Sequence, residues 1–126
     1  MADQINREYT LRRLHSLLGV IPIGLFLMQH LVINHFSTYS EEAFNTAAGI
    51  VGNLPLVIVL EFAVIYIPIL FHGIYGVYIA FVTEMNLGRY GWFRNWMFML
   101  QRITGIITLI FIGWHVWETR LANAIY

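Results

Sequence analysis

Five histidines, His15, His30, His35, His72 and His115, stand in or beside long apolar runs of this 126-residue chain. A neutral imidazole offers one lone pair to a metal, and imidazoles offered from two helices are what bis-histidine ligation of a b-type haem requires. Outward here is the direction away from the chain's arginine-rich segments. His30 falls roughly 7 Å and His115 roughly 12 Å outward of the midpoints of their runs, at about 1.5 Å per residue. The two are therefore at similar depth on different helices. Gly19, Ile23 and Phe26 share the His30 face, and small or flat residues there leave room for a porphyrin. The competing reading is that either imidazole simply donates to a neighbouring carbonyl.

His72 lies about 4 Å inward of the middle of its run, in a second, inner layer, with Gly73 and Gly76 leaving space beside it. It has no partner of matching depth on the other two runs, which points to a further helix. His15 is nearer the inner surface and roughly 60° off the His30 face, so an interfacial role is expected for it. His35, about 140° from His30, is expected at the outer boundary. Glu61 stands three turns outward of His72 and about 20° off its face. A carboxyl there either reaches interfacial water or, with its pKa raised by burial, exchanges protons at an outward-facing site. Gln29 is the further candidate for a quinone or proton site, with Tyr66 and Trp114 as weaker lining residues.

These groups need helices to hold them. In the run 95–120, Phe111, Thr108, Thr104, Gln101 and Met97 all fall within roughly 40° of His115, while Arg102 points about 140° away. A polar stripe is costly in hydrocarbon unless it faces other helices or a ligand. Interhelical hydrogen bonding explains Thr104 and Thr108 equally well; His115, between Trp114 and Trp117, asks for more.

The composition makes the setting a lipid bilayer. Hydrophobic residues are 59% of the chain and charged ones 11%, with mean hydropathy +0.67, against about 25% charged in soluble domains. Net charge is zero, with seven arginines and no lysine, so no basic face points to nucleic acid. Cysteine is absent, which excludes disulfides, Cys-ligated iron–sulfur clusters and covalent haem attachment. The opening residues, with Asp3 and Glu8, do not read as a secretory signal.

The expected fold is all-α: a single transmembrane domain over 1–126, a helical bundle with three spans at about 16–35, 55–83 and 96–118, each ample for a bilayer. Pro22 and Gly24 are expected to kink the first span, and Pro55 to start the second. The connector 36–53 holds Glu41 and Glu42 and no basic residue, and part of it reads as a short interfacial helix. Arginines cluster in the amino-terminal arm and the 84–95 loop, so both should face the cytoplasm, with the amino terminus inside. Arg102 is placed to snorkel inward.

The blocks RRLHSLLGVIPIGLFLMQHLVIN, FHGIYGVYIAF and NWMFMLQRITGIITLIFIGWHVWETR closely resemble the cytochrome b membrane-anchor subunits of succinate dehydrogenase from Bacillus-type Gram-positive bacteria. The resemblance runs over essentially the whole chain. It implies a five-span protein of the bacterial cytoplasmic membrane holding two haems b. It also implies flavoprotein and iron–sulfur subunits docked on the cytoplasmic side, and electron delivery from succinate to menaquinone. Carried over by position, His30 and His115 would ligate the outer haem. His72 would hold the inner one together with a fourth-helix histidine beyond the three spans present. A fumarate reductase anchor running electrons the other way, and a haem-free helical membrane module whose histidines only knit helices, are the rival readings.

Overall fold

The computed structural model describes residues 2–84 and 86–122, and every described element is helical. The order is α1 (Ala2–Val20), α2 (Pro22–His35), a short 3-10 turn (Phe36–Thr38), α3 (Glu41–Gly52), α4 (Val57–Leu60), a π-helical stretch (Glu61–Tyr66), α5 (Ile67–Val82), α6 (Phe93–Val116) and a terminal π-helical stretch (Trp117–Leu121). Three stretches are long and apolar enough to cross a membrane: Asp3–Thr38, Val57–Val82 and Phe93–Leu121. Among the described residues only Pro68 is buried, and no large apolar side chain is. Helices that are apolar all round and shielded by few neighbours are built for a hydrocarbon solvent.

Local chemistry explains the breaks. Pro22 opens α2 without an amide proton, yet Ile21 donates to Leu17 O (2.9 Å) and Leu25 to Ile21 O (3.0 Å), so α1 and α2 run on as one rod. Ser40 caps α3 by accepting from Ala43 N at 3.0 Å, and Glu41 and Glu42 occupy the first turn where the helix dipole favours anions. The short helix expected in the connector is therefore present.

Span two is less regular than its composition. Pro55 occupies a turn closed by Val57 N to Leu54 O (3.2 Å), with Leu56 in the left-handed region at φ 58°, and the helix starts at Val57. Proline sits as readily at the second position of a turn as at the first of a helix. Further on, Pro68 has no N–H for the carbonyl four residues back, and its ring crowds that carbonyl. The preceding Glu61–Tyr66 stretch widens to π geometry, with Ile67 N donating to Phe62 O five residues away.

The chain divides into two compact units, Met1–His72 and Gly73–Tyr126. In the first, α2 packs against α3 and along Glu61–Tyr66. In the second, Gly73 lies against the Leu109 side chain, and the Arg102 guanidinium donates to Thr83 O at 3.0 Å while stacking 3.9 Å above Phe98. The carbonyl ends of a helix attract cations, so Arg102 closes the end of α5 from the neighbouring span. The Arg102 side chain thus has a definite partner.

Candidate functional site: the His72 ligand position

His72 projects from α5 against α1. Its ring stacks on that of His15, with centroids 4.1 Å apart and planes 7° from parallel, and its Nδ1 lies 2.8 Å from the His15 backbone oxygen. A carbonyl can only accept, so the His72 proton sits on Nδ1 and the lone pair on Nε2. Metal-ligating histidines are held in this way, with one ring nitrogen donating to a carbonyl while the other faces the metal. The ring is half-buried. Gly19, one turn beyond His15, gives the imidazole its space: a Cβ there would overlap Cε1 and lie 2.6 Å from Nδ1.

The donor set therefore suits one axial position of a haem. Among the described residues no three His, Asp or Glu side chains gather to hold a bare metal ion. Haem iron, held in its macrocycle, needs only axial ligands from the protein.

The neighbourhood of His15 differs from the sequence reading. An interfacial role was expected for His15 from its depth alone; the structure stacks its ring on that of His72. The signal in the sequence is slight: His15 and Gly19 share a face of α1 at i, i+4 spacing, and nothing local says which helix covers that face.

The other candidates are distributed as follows. Gln29 and His30 are half-buried on α2, and the His30 ring lies 5.4 Å from that of Phe26 at 29°. Glu61, also half-buried, begins the π-helical stretch that packs against α2. The straight-helix count that aligns Glu61 with His72 does not hold across that stretch. Bonding to the fifth rather than the fourth residue shifts the register by about one residue, roughly 100°. His115 is exposed on α6, nearly parallel to Phe111 (10°, 6.4 Å). His30 belongs to the first unit and His115 to the second. His35 is exposed and edge-on to Tyr39. Thr104 donates to Leu100 O within its own helix at 2.8 Å, so one residue of the polar stripe is satisfied without a second helix.

His72 is thus a half-buried imidazole whose Nδ1 donates to the His15 carbonyl, in a chain of long apolar helices. The chain is 59% identical over 117 residues, 93% of its length, to the succinate dehydrogenase cytochrome b558 subunit of Bacillus subtilis (strain 168). It is a homologue of that subunit. The chain spans 58% of this relative's length. No family model and no solved structure matches it.

Proposed function

We propose that this chain acts in succinate dehydrogenase as the cytochrome b membrane anchor, carrying electrons from an iron–sulfur subunit to menaquinone. The observation that carries the reading is the 59% identity to the Bacillus subtilis subunit. The His72 geometry supports it independently, since the imidazole is held in the tautomer a metal ligand needs. Haem b, when bound, supplies reversible one-electron chemistry. His72 would present Nε2 to the inner haem. By the sequence pattern, His30 and His115 would hold the outer haem.

The remaining residues set direction and proton supply. Arg12 and Arg13 on α1, and Arg94 at the start of α6, face the cytoplasm and receive the iron–sulfur and flavoprotein subunits. Arg12 is held toward Glu8 at 2.7 Å and Arg13 toward the Tyr9 hydroxyl at 3.1 Å. Electron movement from that side to an outer quinone site gains about 2.3 kcal/mol per electron for each 100 mV of membrane potential. Glu61 exchanges protons beside that site, with Gln29 lining it. The packing of α2 along Glu61–Tyr66 supports this placement, and π-helical insertions recur at functional sites. Succinate oxidation itself belongs to the partner subunits.

A reduced-minus-oxidised difference spectrum of the purified protein tests the proposal. A b-type α-band is expected; its absence would leave a haem-free helical module.

A further inference from the structure

We propose that Gly19 is the positioning residue of the His72 ligand. The missing side chain at this one point of α1 lets the imidazole lie against the helix, where the His15 carbonyl orients it. The inference rests on the reading of His72 as an axial ligand and adds what fixes that ligand.

Three observations converge on it. His72 Nδ1 is 2.8 Å from the carbonyl oxygen of His15, four residues before Gly19. The two imidazoles are nearly parallel in stack, with planes 7° apart, so the ring has little freedom to tilt. All three atoms closest to a Cβ built on Gly19 belong to the His72 ring: Cε1, Nδ1 at 2.6 Å and Nε2 at 3.3 Å. Contacts under 3 Å cannot be kept, so any side chain at position 19 drives the ring away. The ring cannot yield in place, because moving off Gly19 stretches the bond to the His15 carbonyl. Losing that bond frees the tautomer and reorients the Nε2 lone pair, the two properties that set ligand strength.

Gly24 is the matched control. It lies on the same rod, and its added Cβ meets only the Gly19 carbonyl oxygen at 3.7 Å, an ordinary contact. Gly19→Ala and Gly24→Ala both replace glycine by the best helix former. A difference between them therefore reports the His72 contact and not helix propensity.

The experiment compares Gly19→Ala, Gly24→Ala and His72→Ala in the intact membrane complex. Each is followed by reduced-minus-oxidised spectra, low-temperature electron paramagnetic resonance and redox titration of both haems. Gly19→Ala is expected to shift the midpoint potential and the low-spin signal of the inner haem, or to lower its occupancy several-fold. The outer haem should be unchanged, because the space at Gly19 that the sequence pattern offered to a porphyrin on the His30 face is filled by the His72 ring, and Gly24→Ala should match the unaltered protein. An inner haem with its normal signal and potential in Gly19→Ala, while His72→Ala loses it, overturns the proposal but keeps the ligand. Retention of the inner haem in His72→Ala would instead sink the ligand reading on which it rests. If Gly19→Ala accumulates poorly, the double variant Gly19→Ala/His72→Ala decides. Accumulation equal to that of His72→Ala alone supports a clash with the imidazole, whereas a further several-fold drop assigns the damage elsewhere and refutes it.

Discussion

Gly73 follows His72 directly and marks where spans two and three meet within the second unit. A Cβ on Gly73 would lie 2.6 Å from Leu109 Cδ1, 3.4 Å from Cδ2 and 3.6 Å from Cγ. Carbon pairs prefer about 3.5–4.0 Å, so Gly73→Ala must move one methyl by about 1 Å. If Leu109 turns off its rotamer the cost is about 0.5–1.5 kcal/mol; if the helices separate, overpacking costs about 1–3 kcal/mol. Alanine returns roughly 1 kcal/mol through helix propensity. The net expectation for Gly73→Ala runs from a gain of about 0.5 to a loss of about 2 kcal/mol, with a larger loss for Gly73→Val. Leu109→Ala removes all three opposing atoms. In the Gly73→Ala background it should cost less than in the unaltered protein, with a coupling of about 1–2 kcal/mol. The assay is reversible unfolding of the purified protein in mixed micelles by a denaturing detergent, followed by far-ultraviolet circular dichroism. Additivity within about 0.5 kcal/mol, with Gly73→Ala as stable as the unaltered protein, would refute close approach of the two spans at this point.

Four further outcomes are expected. His30→Ala or His115→Ala should each abolish the outer-haem signal while the inner one survives, and persistence of both haems in either variant would overturn the pairing. Glu61→Gln keeps shape and hydrogen bonding but cannot titrate. Dye-linked succinate oxidation should stay near normal in it while quinone reduction falls and its pH profile shifts, and an unchanged profile would make Glu61 structural. A cysteine at Tyr39 should react with a membrane-impermeant reagent on intact cells and one at Asn86 should not; the opposite pattern would invert the topology. Arg102→Met removes the 3.0 Å bond to Thr83 O and the stacking on Phe98, and a charge-assisted bond contributes about 1.5–3 kcal/mol. Detergent unfolding should show a loss of that order, less what is recovered by no longer desolvating the charge, and no loss would mean the guanidinium is solvated.

Hydropathy, charge and capping are local, and so is what the chain alone discloses through them. Uninterrupted apolar runs dictate helices, because a bilayer offers the backbone no other partner, and the three long apolar helices follow. Ser40 before two glutamates marks a helix start for the same kind of reason, since its cap bond spans three residues. The likeness to a cytochrome b subunit was legible too, because it depends only on residue order. Contacts between elements were not. Angular counting on α1 relates His15 to His30 but is silent on which helix lies opposite, so the stack of His15 on His72 and the role of Gly19 came only from packing. Counting fails differently in span two, where Pro68 and the π-helical stretch change the number of residues per turn and carry Glu61 off the expected stripe. Thr104, read as a group that could reach another helix, turned its hydroxyl to its own backbone. Arg102 found the carbonyl end of α5. A periodic pattern defines a face; only the crossing of two helices decides what that face touches, because that contact depends on geometry shared between segments distant in sequence.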